Sequence, residues 1–147
     1  MKKIIISFSL LLSAGLTTVF ANDAPTPNEQ VLASFKKEFA SAQDVRWNKQ
    51  DNYDKATFLL GASWVVAYFN PAGPLEGCAR DIFFNQLPLA VMAAIDKRFA
   101  AAVIINVREI TNVDGTHYRL ILEAKNKKLK VKVDSSGNIN EVDKVAK

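Results

Sequence analysis

The chain has 147 residues with 19 basic and 15 acidic side chains, a formal net charge of +4 and one cysteine. This excess of positive charge is too small to indicate a nucleic-acid-binding protein, and a single cysteine excludes a disulfide bond within the chain. Beyond residue 21, no uncharged segment approaches the length of about 20 residues that a membrane-spanning helix needs.

Residues 1–21 have the pattern of a secretory signal peptide. Lys2 and Lys3 precede an apolar run over residues 4–16, and Val19-Phe20-Ala21 has the form of a cleavage site. The mature chain then begins at Asn22 and has about 126 residues, enough for one domain. Its net charge is +2, because the signal holds two basic residues and no acidic one. The sequence therefore predicts export to a periplasm, or secretion, with no membrane span in the mature chain.

The first predicted element of the mature chain is an amphipathic helix. Thr26-Pro27-Asn28-Glu29 has the form of a capping box, with Thr26 as the cap and Pro27 as the first helical residue. The apolar residues that follow recur at three- and four-residue spacing, which places them on one stripe: Val31, Leu32, Phe35, Phe39 and Ala42. Alternating apolar residues and turn signals then predict four antiparallel strands near residues 45–48, 55–60, 64–69 and 75–84.

The same order of elements is predicted a second time. Pro88 stands near the start of a second helix, whose apolar stripe comprises Val91, Met92, Ile95 and Phe99. Strands follow from residue 105 to the Asp114-Gly115 turn and over residues 118–124, 129–133 and 138–142. Residues 22–147 are therefore expected to form one α+β domain of two tandem repeats, about 26–84 and 85–147. Each repeat is a helix plus a four-stranded antiparallel sheet, with the helices on one face of the sheet.

Alignment of the two halves favours an internal duplication. Residues 31–42 and 91–102 align at an offset of 60 with six identities, and residues 65–73 align with residues 129–137 at an offset of 64. A four-residue insertion in the hairpin of residues 111–115 accounts for the change of offset, since turns tolerate insertions. Two unrelated amphipathic helices of biased composition are the alternative explanation.

A set of structural motifs extends over essentially the whole mature chain. They are Val45-Arg46-Trp47, Tyr53 with Ala56 and Phe58, Ala67-Tyr68-Phe69-Asn70 with Gly73, Leu87-Pro88, and Tyr118. This pattern resembles the PepSY-like exported proteins of Bacteroidetes-type bacteria, although Asn70 replaces the commoner aspartate and the second half keeps only the polar turn and its glycine. The resemblance implies a fold similar to that of beta-lactamase inhibitory protein, with an open sheet face. It also implies a non-enzymatic periplasmic module, with inhibition of another protein as one version of this hypothesis.

The aligned halves also predict which side of each strand faces a helix. Apolar residues occupy the same alternate positions in both copies and are expected to meet the helices: Val65, Ala67 and Phe69, and Leu129, Val131 and Val133. The outward positions are apolar in the first copy and basic in the second. Exposed apolar patches with Trp and Tyr commonly mark interaction surfaces. The candidate partner-binding residues are therefore Leu59, Trp64, Val66 and Tyr68, together with Lys128, Lys130 and Lys132.

Several interpretations of these residues remain open. The apolar positions could form a surface for a protein or peptide partner in the envelope, or a homodimer contact. Alternatively, they are ordinary core, covered either by residues 82–84 or by packing of two sheets against each other. The leading prediction is a non-enzymatic exported binding module, including one that resembles a peptidase inhibitor. The alternative function is binding of a small anionic ligand or envelope component by the three lysines, which are otherwise a solvated strand face.

No local pattern indicates an enzyme, a cofactor or a metal site. His117 is the sole histidine and lacks neighbouring residues at metal-ligand spacing. No serine stands in a nucleophile-elbow context, and no glycine-rich phosphate loop occurs. Cys78 is expected to be a small buried strand residue, with a reactive thiol or an intermolecular disulfide as the alternatives. Catalysis by residues distant in sequence is the third and last functional interpretation.

Overall fold

A computed structural model describes residues 25–145 of the chain, so the predicted signal peptide lies outside the described residues. Two α-helices, a short 3-10 helix (Phe84–Gln86) and one antiparallel sheet of eight strands make up this part, and the strands lie side by side in chain order. The elements are α1 (Glu29–Glu38), β1 (Gln43–Gln50), β2 (Tyr53–Leu60), β3 (Ser63–Phe69), β4 (Leu75–Ile82), α2 (Leu89–Phe99), β5 (Val103–Asn112), β6 (Gly115–Ala124), β7 (Lys127–Asp134) and β8 (Ile139–Lys144). The predicted α+β class is therefore confirmed, with the sheet as the larger part.

Helix α1 begins later than the predicted capping box placed it. Asn28 is the cap, because its Oδ1 accepts a hydrogen bond of 3.0 Å from the backbone N–H of Val31. Asn28 also donates from Nδ2 to the backbone oxygen of Pro71 at 2.6 Å. Thr26 as the cap was thus wrong, and Pro27 precedes the helix as a buried residue. An asparagine caps as well as threonine or better, and here it also ties the helix to the turn after β3.

Each helix buries two residues one turn apart against the sheet. Val31 and Phe35 pack in a cluster with Ala56, Phe58, Val65, Ala67 and Phe69. Val91 and Ile95 pack in a second cluster with Leu87, Val107, Tyr118, Leu120, Leu122, Val131 and Val133. The i, i+4 spacing on the helices and the alternation on the strands follow from the two backbone periods.

The register of the strands shows that both clusters lie on the same face of the sheet. Val65 pairs with Arg80, Arg80 with Glu109, and Glu109 with Tyr118. Because directly paired residues point to the same side, Val65 of the first cluster and Tyr118 of the second share one face. We call this the inner face. The opposite side, which carries no helix, is the outer face.

Strands β4 and β5 join the two halves into one sheet. Their pairing runs from Gly77 with Asn112 to Ile82 with Val107. Arg80 and Glu109 form an ion pair of 2.8 Å on the inner face, and Arg108 and Asp81 form one of 2.8 Å on the outer face. No helix in residues 25–145 is long and apolar enough to cross a membrane.

Most strands begin earlier than their sequence patterns predicted. The first strand was predicted near residues 45–48, but β1 also includes Gln43 and Asp44, with an irregular register before Arg46 and a positive φ of 51° at Asp44. A bulge of this kind lets a strand continue through residues that break the alternation.

Candidate interaction surface on the outer face

The four predicted apolar site residues come together on the outer face. Leu59 pairs directly with Trp64 across β2 and β3, and Val66 and Tyr68 follow at alternate positions of β3. Trp64 is 49% exposed, while Leu59, Val66 and Tyr68 are half-buried. We call these four residues the aromatic patch. An indole that is half exposed on a regular strand is not part of either hydrophobic core.

Cations lie over both rings of the aromatic patch. The Arg46 guanidinium carbon is 5.8 Å from the centroid of the Trp64 ring, and Lys55 Nζ is 6.0 Å from that of Tyr68. Such contacts stabilise by about 0.5–1 kcal/mol at exposed sites. Arg46 lies on β1 and Lys55 on β2, so both cations approach the rings from the same side of β3.

The aromatic patch continues onto strands that the sequence did not connect with it. Val66 pairs with Ala79 of β4, and Ala79 pairs with Ile110 of β5. Beside Tyr68 the surface sinks into a cleft of about 330 Å³, whose lining includes Tyr53, Gly77 and Asn112 as well as Ala79 and Ile110. Gly77 lets β4 approach β5 closely beside the cleft, because a Cβ at this position would lie 2.9 Å from the backbone oxygen of Thr111. Sequence reasoning missed this extension because it depends on the pairing of β4 with β5.

The segment between β4 and α2 does not cover the aromatic patch. Ile82 and Phe84 pack against the second cluster, which lies on the inner face. Phe83 is 78% exposed. The interpretation of Trp64 as core covered by residues 82–84 is therefore wrong, because Ile82 and Phe84 pack against the second cluster instead. Packing of two sheets is likewise wrong, since the strands form one sheet.

The three predicted lysines also lie on the outer face, on β7. Lys128 faces Glu123, Lys130 faces Asp143, and Lys132 faces Glu141 on the neighbouring strands. Strand β7 is four strands away from β3, a separation of roughly 19 Å at the usual strand spacing. The lysines and the aromatic patch thus share a face without touching.

A row of cations crosses the sheet between the two predicted sites. Arg108, Arg119 and Lys132 are directly paired on β5, β6 and β7. Asp81 accepts from Arg108 Nε at 2.8 Å and from Nη2 at 3.1 Å. This pairing lowers the pKa of Asp81 and raises the pKa of Arg108. We call Arg108, Arg119 and Lys132 the cation row; sequence alone could not align them, because they lie on three different strands.

His117 lies on the outer face next to the cation row, two residues from Arg119 on β6. Burial lowers the pKa of His117, and the nearby charges of Lys132 and Arg119 lower it further, while Asp114 opposes them. The imidazole therefore gives up its proton more readily than that of an ordinary histidine. Among residues 25–145, no group of three His, Cys, Asp or Glu side chains is arranged to hold a metal ion.

Cys78 faces the other way, toward the inner cluster. It pairs with Ala67, is half-buried and packs against the first core. Burial raises the pKa of the Cys78 thiol, and Glu109 raises it further. A protonated thiol is a poor nucleophile, so the arrangement favours a packing role for this residue.

No protein-family model and no curated protein matches this sequence. Solved structures do match. A BLIP-like protein from Bacteroides fragilis is 18% identical with a TM-score of 0.75, and the alignment covers 82% of this chain and 88% of that one. A DUF2874 family protein from Bacteroides ovatus is 22% identical with a TM-score of 0.75, covering 82% and 89%.

A third similar structure is a protein from Bacteroides eggerthii that is proposed to be periplasmic, at 18% identity and a TM-score of 0.74, covering 82% of this chain and 90% of that one. The chain has the fold of these proteins. The expected likeness to the fold of beta-lactamase inhibitory protein is thereby supported. Identities at this level establish the fold alone.

Proposed function

We propose that the protein is an exported, non-enzymatic module that binds a protein or peptide partner through the outer face. The observation that carries this proposal is the half-exposed Trp64 at the edge of an open apolar surface, with Arg46 over its ring. Trp, Tyr and Arg are the residue types that most often dominate binding energy at protein interfaces. The similarity to a BLIP-like protein favours an enzyme that this protein inhibits, such as a hydrolase, as the partner.

Binding of a small anion by the three lysines is the second candidate function. The cation row favours it, because Lys132 extends into a wider positive area that includes Arg119. Glu141 and Asp143 oppose it, since they face Lys132 and Lys130 from β8. The lysines by themselves are therefore the weaker site.

We further propose that the chain is exported, belongs with the PepSY-like proteins and arose by duplication. Export is supported by the signal-like residues 1–21 and by the similarity to a protein proposed to be periplasmic. Duplication is supported by the two clusters and by the identical succession of buried, half-buried and exposed residues over 31–40 and 91–100.

Export is tested by mass spectrometry of the protein from an envelope fraction, which is expected to show Asn22 at the amino terminus. An intact Met1 would contradict export.

The binding proposal is tested by capture of proteins from an envelope extract of the source bacterium. The variant Trp64→Ala/Tyr68→Ala removes both rings, and Phe83→Ala/Leu89→Ala removes two exposed apolar side chains before and in α2. We expect a captured partner to be lost with the first variant and kept with the second, because truncation of an anchor commonly costs 2 kcal/mol or more, roughly thirtyfold in affinity. Partners that bind both variants equally would contradict the aromatic patch as the binding site.

A further inference from the structure

The cation row is unfavourable for the folded protein itself. Arg108, Arg119 and Lys132 stand directly opposite one another on adjacent strands, and like charges in that relation destabilise a sheet. Asp81 neutralises only Arg108, at the β4 end of the row. Among the described residues 25–145, neither Arg119 nor Lys132 forms an ion pair within 4.0 Å. Arg119 thus has a cation opposite it on both neighbouring strands, whereas Lys132 has Glu141 opposite it on β8 but forms no ion pair with it.

The surroundings of Arg119 agree with a positive potential at this point. His117 lies on the same face, and its pKa is lowered by Lys132 and Arg119 in addition to burial. Asp114 raises that pKa, and Asp134 lies opposite His117 on β7. The effect of Asp114 on the imidazole does not cancel that of the two cations.

We propose that the partner is an acidic polypeptide segment that contacts the outer face at two points; this inference rests on the proposed function. Carboxylates of the partner lie over Arg119 and Lys132, and an apolar side chain of the same partner packs on Trp64 and Tyr68. Strand β3 is three strands from β6 and four from β7, so the two points are roughly 14–19 Å apart. Both fit within the footprint of about 800 Å² that each partner contributes to a standard interface.

The acidic residues around the cation row favour a polypeptide over a polyanion. Glu123 and Asp134 lie at the two ends of the strands, and Glu141 and Asp143 lie on β8. A nucleic acid would place a continuous line of phosphates against these carboxylates, whereas an acidic segment needs only a few charges, over the two free cations.

The experiment selects peptides from a random phage-displayed library on the mature protein. We expect enriched peptides to carry at least two acidic residues and an aromatic or large apolar residue. Arg119→Gln/Lys132→Gln is expected to weaken their binding about tenfold or more, as loss of desolvated interfacial charges does, while Arg119→Lys retains most of it. The matched control is Lys36→Gln/Lys37→Gln, which removes the same charge from exposed positions of α1 and is expected to leave binding unchanged.

His117 provides a second readout, because it is the only histidine. Carboxylates bound over Arg119 and Lys132 are expected to raise the pKa of its imidazole, measured by NMR, and the selected peptides with Gln in place of Asp and Glu are expected to leave it unchanged. Circular dichroism of each variant shows that the fold is retained.

Several results would overturn the proposal: no enrichment, enrichment of neutral or basic peptides, or peptides that bind Arg119→Gln/Lys132→Gln as tightly as the native protein. If binding is then still lost in Trp64→Ala/Tyr68→Ala, the proposed function stands and only the acidic partner fails. Loss with the charge variant alone would overturn the aromatic patch instead. Displacement of the peptides by inorganic phosphate at matched ionic strength, or dimerisation through the same residues, would overturn the polypeptide as the occupant.

Discussion

Single residues at ordinary strand positions form the candidate site on the outer face. Trp64 is a candidate binding residue because of its neighbours, which are a cation on one side and an apolar surface on the other. Arg119 is similar, since its two neighbours across the sheet are both cations.

The charge of Arg119 gives a prediction about stability. Arg119→Gln is expected to raise the free energy of unfolding by about 0.2–1 kcal/mol, because it removes repulsion from Arg108 and Lys132. Urea unfolding at low and high salt checks this, and the gain is expected to shrink at high salt as the charges are screened. The control is Lys36→Gln on α1, for which no gain is expected. A variant that is less stable than the native protein at low salt would count against unfavourable repulsion in the row.

Titration of His117 gives a second prediction. Its pKa in the folded protein is lowered from the ordinary value of 6.5 by burial, Lys132 and Arg119, so below that pH the unfolded chain binds the proton more readily. The contribution of His117 to stability is therefore complete above about pH 6.5 and is lost as the pH falls toward the folded pKa. NMR titration of the imidazole checks the shift, and Lys132→Gln is expected to raise the pKa. A pKa at or above 6.5 in the native protein would contradict the positive environment.

At the scale of elements, two similar turns between strands pack closely against the two helices. Gly73, after β3, and Gly137, after β7, have φ values of 111° and 88°, a region that favours glycine. A Cβ on Gly137 would lie 2.5 Å from the backbone oxygen of Ala90, and a Cβ on Gly73 would lie 3.3 Å from Cβ of Gln30. Both turns thus approach the first turn of a helix closely, and the second approaches its helix more closely.

This difference predicts an order of stabilities. Gly137→Ala and Gly73→Ala each add backbone strain of about 1–3 kcal/mol, and Gly137→Ala also forces the turn away from α2. Gly115→Ala is the control for strain alone, because Gly115 has a φ of 110° and no atom within 4 Å of the added Cβ. Thermal or urea unfolding is expected to rank Gly137→Ala as the least stable, then Gly73→Ala, then Gly115→Ala. A Gly137→Ala variant as stable as Gly115→Ala would show that this turn does not pack on the helix as described.

At the scale of the whole fold, residues 25–145 form two hydrophobic clusters that share one sheet through β4 and β5. Two ion pairs lie at this junction, Arg80 with Glu109 on the inner face and Arg108 with Asp81 on the outer face. Each is partly exposed and worth about 0–1 kcal/mol, so backbone pairing supplies most of the connection.

Removal of the two ion pairs is expected to leave unfolding cooperative, because backbone pairing of β4 with β5 supplies most of the connection between the halves. In Asp81→Asn/Glu109→Gln, tryptophan fluorescence reports on the first half, since both tryptophans, Trp47 and Trp64, lie there. Its midpoint is expected to coincide with the midpoint seen by far-UV circular dichroism, as it does for a two-state domain. Separated midpoints in the variant would show that the ion pairs, and not the backbone pairing, couple the halves.

Local periodicity was sufficient for the elements and their faces. The three- and four-residue spacing of Val31 and Phe35, and of Val91 and Ile95, predicted the helix sides that are buried, and strand alternation predicted Ala67 and Val131 as inner residues. These directions depend only on the backbone geometry of each segment, so they can be read without knowing its neighbours. The error at Thr26 arose because Thr26 and Asn28 are both good capping residues, and the contact of Asn28 with Pro71, which lies 43 residues away, cannot be read from the local sequence.

Which residues lie beside one another on the outer face was decided by the tertiary structure. Asp54 shows the same limit on the inner face: nothing in its strand pattern predicts an aspartate that is 1% exposed and paired with Lys49 Nζ at 2.8 Å. The sequence by itself determined two amphipathic helices, the approximate strands and the outward direction of Trp64, Tyr68 and the three lysines. Only the register between β4 and β5, set after the chain passes through α2, joined the halves into one sheet and extended the aromatic patch to Ile110. The registers of β5 with β6 and of β6 with β7 aligned Arg108 with Arg119 and Lys132. Side-chain direction is a local property of a strand, whereas lateral neighbours depend on pairing between segments that are distant along the chain.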